Sequence, residues 1–327
     1  MSDFMSRLPL ARHHTDRDSE HRADPGLLDS LRGDPGTRVL LLRAGDALLR
    51  RGADGNPELD LRTVDSLADI EAVVDAFEDR DGGRLVYLGR TTRERSGGTG
   101  EPSGTRVVSI DLDEGAAHRV EPDPGRWASL REVANVLDEV DCGLYTEALA
   151  MANWHRVNGF SPRSGHRSRA QLAGWVRGGT EEGDLVFPRT DAAVIAAVVD
   201  ADDRILLGAN AQWTPKRFSL LAGFVEPGES FESAVAREVW EESRARIVEP
   251  RYLGSQPWPF PASIMVGFTC RLHPDQDPES VRPDDDEIID LRWFTREEIV
   301  DYLGTLPGTV SIARAILEDW YGGPIPG

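Results

Sequence analysis

Residues 223–242 read GFVEPGESFESAVAREVWEE, and the spacing of acids, arginine and glycines in this stretch decides how the rest of the chain is read. Ser230 is placed to cap a helix whose apolar stripe is Phe231, Ala234, Val235 and Val239. On that helix Glu238, Glu241 and Glu242 fall at i, i+3 and i+4, so the carboxylates share one face. Two unit charges about 4 Å apart repel by about 4 kcal/mol at an effective dielectric of about 20, so such a face is costly with nothing between its members. A hard divalent cation relieves the repulsion. Magnesium or manganese takes oxygen ligands from a few carboxylates and from substrate phosphates, which makes this cluster a landing site for a diphosphate.

The flanking residues agree. Glu226-Pro227-Gly228-Glu229 suits a tight turn, with proline in the second position and glycine in the left-handed third. Upstream, Phe218 to Val225 reads as a strand that delivers Gly223 to the turn, where a glycine lets the backbone approach a neighbour closely.

This stretch resembles the signature of Nudix hydrolases: a glycine, five residues, a glutamate, seven residues, then Arg-Glu-apolar-x-Glu-Glu and x-Gly-apolar. Gly223, Glu229, Arg237, Glu238, Val239, Glu241 and Glu242 match in type and spacing. A solvated surface is the plain reading of glutamates on a helix, and seven matches in register set it aside. Glu229 and Arg237 read as a bracing ion pair more than as substrate contacts. Arg244 and Ala245 depart from the pattern, standing where the family has glycine and a larger apolar residue. Left-handed backbone at an arginine costs about 1 to 2 kcal/mol, so either the helix continues past Ser243 or the turn is strained.

A second string, Ser255-Gln256-Pro257-Trp258-Pro259-Phe260-Pro261, reads as a proline-stiffened loop between strands at Arg251–Gly254 and Ser263–Cys270. Such a loop would hold Trp258 and Phe260 out as a platform for a planar ring, or let them plug a core. With Ala262 and Ser263 the string is similar to the hallmark of the NADH pyrophosphatase (NAD diphosphatase) branch of the Nudix superfamily, and the resemblance runs from about Trp154 to Asp319. It implies that Gln256 through Ser263 contact a dinucleotide, with further contacts at Phe187, Ile195 and Ala313. It also implies that Phe224 and Trp258 sandwich a base across a homodimer interface, and that Glu287, in Asp284-Asp285-Asp286-Glu287, completes the metal cluster beside solvent-facing acids. The implied reaction is hydrolysis of NADH or NAD to nicotinamide mononucleotide and AMP by Glu238, Glu241, Glu242 and Glu287 with Mg²⁺ or Mn²⁺. An RNA carrying NAD at its 5′ end is a side substrate.

In this branch a four-cysteine zinc ribbon precedes the catalytic domain. Here Ser161, Ser164, Gly179 and Glu182 occupy the cysteine positions in GFSPRSGHRSRAQLAGWVRGGTEEGDLVFPR, while Trp175 and Phe187-Pro188 still align. Hydroxyls are poor zinc ligands, so no structural zinc is expected and the segment should persist as metal-free hairpins around Trp175. His155 and His166 read as ordinary polar residues.

The architecture that the resemblance implies is α/β: an N-terminal α+β Nudix-like domain (1–125), a helical connector (126–157), a degenerate ribbon (158–187) and a catalytic α/β/α sandwich with a mixed sheet (188–327). Strands are expected at Thr37–Leu42, Ala47–Arg51, Arg84–Gly89 and Thr105–Leu112, a helix at Ser66–Phe77, and a mobile loop at Glu94–Gly104. In the connector, Leu130, Val133, Val136, Leu137 and Val140 have core spacing. The N-terminal domain is expected to support the dimer.

A chain of 327 residues with 39% hydrophobic content supports two or three domains with real cores. Cys142 and Cys270 form no disulfide framework and read as buried. No apolar run reaches a membrane span and MSDFMSRLPLARHHTDRDSE lacks a signal-peptide core, so the cytoplasm is the expected location. A formal charge of −20, with Lys216 the only lysine, opposes nonspecific nucleic-acid binding. Two alternatives stay open: a pyrophosphatase for ADP-ribose or another nucleoside diphosphate derivative, disfavoured by the Ser255–Pro261 string, and a dinucleotide-sensing module, disfavoured by the complete set of acids.

Overall fold

The computed structural model describes residues 3–78, 83–95, 100–179, 183–212 and 217–326. The chain divides into two compact units, one of residues 1–11, 190–258 and 263–327, the other of residues 12–189 and 259–262.

The first unit is built on β1 (Asp191–Val199), whose apolar run DAAVIAAVV is unbroken because both faces are covered. Alternation sorts its side chains. Val194, Ala196 and Val198 enter one core with Ala234, Val235 and Val239 of α1 (Phe231–Ser243), and Ile195 and Ala197 enter another with Ile312, Ala313, Ile316 and Leu317 of α2 (Ile312–Tyr321). One sheet between two helical layers is the expected α/β/α sandwich. Among the other strands, β2 (Ile205–Asn210) pairs with the end of β1 and β3 (Leu221–Phe224) with its beginning, both antiparallel. The strand β4 (Ile247–Trp258) lies at the sheet edge, antiparallel to β5 (Ser263–Leu272); β5 runs parallel to β1 from Asp191↔Ser263 to Val199↔Arg271, and β6 (Ile288–Phe294) pairs with β2. The sheet is therefore mixed.

Two expectations are corrected here. Ser255–Trp258 is strand, not loop: Pro257 sits opposite Ile264 and the hairpin closes on Trp258↔Ser263, leaving only 259–262 as the turn. Proline is tolerated because β4 is an edge strand, where a missing N–H breaks no second ladder. The strand read over Phe218–Val225 is confined to Leu221–Phe224, with Ser219 bridging to Gly208 and Phe218 in the core. The chain start also joins this unit: Phe4 and Leu8 are in its core, and a Cβ on Gly254 would lie 2.7 Å from Met5 Sδ.

The helix α1 begins as its cap predicts, with the Ser233 N–H donating to Ser230 Oγ at 3.2 Å. It ends at Ser243, and Arg244 takes the left-handed conformation (φ 57°) that the family leaves to glycine. Outside partners hold this end. The Arg282 N–H donates to Ser243 O at 3.0 Å, and Gln276 donates to Arg244 O at 2.9 Å while accepting from the Arg246 N–H at 2.7 Å.

The N-terminal unit repeats the strand logic of the first. Arg38–Arg43 lies parallel to Arg106–Leu112 and antiparallel to Asp46–Arg51, and Leu85–Thr91 is antiparallel to Arg106–Leu112. The helix expected at Ser66–Phe77 starts later, at Glu71–Glu78, burying Ala72, Val73, Ala76 and Phe77 while its acids face solvent. The Glu94–Gly104 loop, read as mobile, is anchored where it is described: buried Arg95 pairs with Asp141 at 2.6 Å and Glu101 at 2.7 Å, while 96–99 lie outside the described residues. The connector is not one helix. Leu130–Val133 is followed by Glu139–Val157, which restarts where Asp138 accepts the Asp141 N–H at 2.7 Å, and Val136 between them is half exposed.

The ribbon is a three-stranded sheet of Arg169–Gln171, Val176–Gly178 and Leu185–Val186. Three of the positions that the resemblance assigns to cysteine converge on one residue, Asp184. Ser161 Oγ donates to Asp184 Oδ1, Ser164 Oγ to Asp184 Oδ2 at 2.7 Å, and the Gly179 N–H to Asp184 O at 2.8 Å. A Cβ on Gly179 would lie 2.1 Å from Asp184 Oδ2. Glu182 lies outside the described residues. Trp175 Nε1 donates to Tyr87 O at 2.8 Å, and Arg22 stacks 3.7 Å over its ring. His155 is buried and neutral by its partners: Nε2–H donates to Gly174 O at 2.8 Å and Nδ1 accepts from Arg177 at 3.0 Å, and burial pushes its pKa down to about 4. Cys142 and Cys270 are buried free thiols. Among the described residues no helix is long and apolar enough to cross a membrane.

Candidate active site

Arg237 organises the acidic helix. Its Nη2 and Nε reach Glu229 at 2.6 and 3.3 Å, its Nη2 also donates to Phe224 O at 2.9 Å, and its Nη1 lies 2.9 Å from both Glu238 Oε1 and Glu241 Oε2. Glu229 in turn accepts the Glu226 N–H at 2.7 Å, which ties the turn to the helix. These bonds hold the Glu229 carboxyl below its usual range, the Arg237 hydrogen bond contributing most. Gly223 is required by packing: a Cβ there would lie 2.1 Å from Glu238 Cδ, so only glycine lets that carboxylate rest on β3.

Glu242 differs from the other two acids. It is 5% exposed, and its Oε2 has no hydrogen-bond partner among the described residues. Burial, then the charges of Glu287 and Glu238, push its pKa up to about 8. It lines a cavity of about 180 Å³ with Glu287, Asn210, Ile195, Ser219, Ala222, Trp258, Met265, Ser311 and Ala313. Glu287 is exposed, and Asn210 Nδ2 donates to its Oε1 at 3.1 Å. Its neighbour Asp284 is not simply solvent-facing: it accepts the N–H groups of Asp286, Glu287 and Ile288 and shapes the loop that presents Glu287.

Among the described residues no three of these carboxylates bring one oxygen each within 4.8 Å of one another; Asp18, Glu20 and His21 of the N-terminal unit do. Asp18 already serves His21, Tyr87 and Arg90, which occupies both its oxygens. At the acidic helix Arg237 takes one oxygen each from Glu238 and Glu241, and burial makes Glu242 favour its neutral form. The donors nevertheless fit a hard divalent ion: all are oxygens, and Glu242 Oε2 is a buried acceptor without a donor.

The other expected contacts separate into groups. Ile195, Trp258 and Ala313 line the cavity. Gln256 is fully buried and is not among the lining residues, its Nε2 donating to Val310 O at 3.0 Å and its Oε1 without a partner among the described residues. Pro257 and Ser263 are half-buried in the β4–β5 hairpin, and Phe224 and Phe187 are exposed. Pro259, Phe260, Pro261 and Ala262 belong to the N-terminal unit, where Arg131 stacks 3.9 Å over the Phe260 ring. Asn210 was missed because an asparagine at a strand end carries no motif, and Ser219 and Ser311 for the same reason.

The chain matches two family models: the NUDIX domain over residues 188–318, and the NADH pyrophosphatase-like rudimentary NUDIX domain over residues 36–154. It is 43% identical over 213 residues to the NAD-capped RNA hydrolase NudC of Mycobacterium bovis, covering 61% of this chain and 67% of that protein. It is 33% identical over 200 residues to the human NAD-capped RNA hydrolase NUDT12, covering 56% of this chain and 42% of that protein. A NUDIX hydrolase structure from Nitrosomonas europaea is 22% identical with a TM-score of 0.40, covering 50% of this chain and 94% of that one.

Proposed function

We propose that this chain, which belongs to the NADH pyrophosphatase family of Nudix hydrolases, cleaves the diphosphate of NADH and NAD to nicotinamide mononucleotide and AMP, and by the same cleavage releases nicotinamide mononucleotide from NAD-capped RNA, leaving a 5′-monophosphate. One observation carries the reading. The buried acid Glu242, the acid Glu287 and the aromatic residue Trp258 line one cavity, which supports engagement of a phosphate and a base of a single ligand together. Base stacking on an aromatic contributes about 1 to 3 kcal/mol, enough to orient a ligand.

A divalent ion such as Mg²⁺ or Mn²⁺, when bound, supplies the charge that neutralises a diphosphate and makes water more acidic. Glu238, Glu241, Glu242 and Glu287 would hold it. Asn210 orients Glu287 by its amide, and Arg237 braces Glu229, Glu238 and Glu241 so that the helix presents its acids in register. Ile195, Met265 and Ala313 give the cavity apolar walls that limit water around the reacting group. The cavity holds only part of a dinucleotide. Phe224, 60% exposed at the end of β3, is the ring that would complete the sandwich of a base with Trp258 in a homodimer.

The test is product analysis with Mg²⁺ or Mn²⁺ on NADH, NAD, ADP-ribose and an NAD-capped RNA. Equal yields of mononucleotide and AMP from the nicotinamide dinucleotides support the reading. Preferential turnover of ADP-ribose would replace it with the alternative pyrophosphatase, and recovery of every dinucleotide intact with either ion would replace it with a sensor.

A further inference from the structure

The segment between β5 and β6, residues 273–287, joins two parts of the candidate metal site, and all of it lies in the catalytic unit. One end delivers Glu287; the other is fastened to the end of α1, the helix that carries Glu242. That fastening has a cause in the sequence. Arg244, the residue after the helix, holds left-handed backbone (φ 57°), which an L side chain disfavours and a glycine does not, so something outside the helix must keep the turn in place.

Gln276 is that partner. Its Nε2 donates to Arg244 O at 2.9 Å and to Ser280 Oγ at 3.3 Å, and its Oε1 accepts the Arg246 N–H at 2.7 Å. A carbonyl only accepts and a backbone N–H only donates, so the bonds to Arg244 and Arg246 fix which end of the amide is which. The amide thus grips the turn on both sides of Ala245, which is fully buried in the core of Val235 and Val239. Backbone bonds extend the grip: the His273 N–H donates to Arg246 O at 2.8 Å and the Arg282 N–H to Ser243 O at 3.0 Å.

From Arg282 the chain has little slack before Glu287. Pro283 fixes its own φ, and Asp284 Oδ1 accepts the N–H groups of Asp286, Glu287 and Ile288 at 3.3, 3.2 and 2.8 Å. Glu242 directly precedes Ser243, so the Ser243–Arg282 bond lies on a short path between the two acids, and both line one cavity. We infer that Gln276 is a positioning residue for the metal cluster: it holds Arg244 in the turn that a glycine adopts unaided, and through the 276–282 segment it keeps Glu287 beside Glu242. Gln276 is not among the residues that line the cavity, so it acts through the backbone it holds. This rests on the reading that these acids take up the divalent ion.

The test is Mn²⁺ titration of the chelated, dialysed full chain, read from the free-ion electron paramagnetic resonance signal, in wild type, Gln276→Ala, Arg244→Gly and the double variant, each checked for folding by circular dichroism. Gln276→Ala should weaken Mn²⁺ binding about tenfold. Arg244→Gly alone should bind within about twofold of wild type, and with it in place Gln276→Ala should cost no more than about twofold, because glycine keeps the turn without help. Gln276→Glu, which retains an acceptor for Arg246 and loses the donor to Arg244, should weaken binding as Gln276→Ala does and serves if that variant does not fold. A wild type that takes up no Mn²⁺ would sink the functional reading, and this inference with it. Wild-type uptake with Gln276→Ala unchanged, or a loss as large with Arg244→Gly as without it, would overturn the inference alone.

Discussion

Glu242→Gln should remove a pH-dependent instability of the metal-free protein. Glu242 is buried, with one oxygen unpartnered among the described residues, and its pKa rises from 4.5 to about 8, through burial first and the charges of Glu287 and Glu238 second. Because the folded-state value is the higher, the folded chain keeps a proton that the unfolded chain releases between these values. Stability from this group is complete below the unfolded value and falls as pH rises toward about 8. At about 1.4 kcal/mol per unit, the loss accumulated by pH 8 has an upper bound of about 4 kcal/mol. Glutamine keeps the shape and cannot titrate. Its own cost from an imperfectly paired amide, about 1 to 3 kcal/mol, is constant with pH, so the difference in slope is diagnostic. The assay is denaturant unfolding in excess chelator between pH 5 and 8.5 at fixed ionic strength. Wild type should lose stability with rising pH relative to Glu242→Gln; parallel curves would refute the placement of Glu242 as a buried, unpartnered acid.

Further outcomes follow from named contacts. Gly223→Ala places a methyl group 2.1 Å from Glu238 Cδ, so the carboxylate must leave β3; turnover should fall at least about tenfold with a small change in Tm, measured by steady-state kinetics and calorimetry. Asp184→Ala strips Ser161 and Ser164 of their shared acceptor and should cost about 1 to 3 kcal/mol, whereas exhaustive chelation of wild type should leave the ribbon's protease resistance unchanged. Arg244→Gly relieves a left-handed arginine and should add up to about 1 kcal/mol in urea unfolding, less the conformational entropy that glycine adds to the unfolded chain; the Gln276 and Arg282 bonds are to backbone carbonyls and remain.

How much of this was legible depended on whether the information was local. The acidic helix could be read because cap, stripe and acids all lie within one stretch, and the cap at Ser230 and the bracing of Arg237 against Glu229 appear as the spacing indicates. The sandwich was implied by the resemblance that this stretch carries, and the structure gives its physical reason in β1, whose two faces enter two cores. The Ser255–Trp258 strand was not, because local rules assign three prolines in five residues to a loop, whereas only Pro257 lies in the strand, where the edge position of β4 makes it acceptable. The hold of Asp184 on two serines and of Asn210 on Glu287 joins residues 20 to 77 positions apart, through polar side chains that no periodicity marks.

The central claim is that the oxygens of Glu238, Glu241, Glu242 and Glu287 take up the divalent ions that hydrolysis needs. Titration of the chelated, dialysed protein with Mn²⁺, following the free-ion electron paramagnetic resonance signal, tests it most directly. Wild type should deplete that signal at stoichiometric ion, while Glu242→Gln and Glu287→Gln should leave most of it. A wild-type protein that removes no manganese, or variants that remove as much as wild type, would contradict the account.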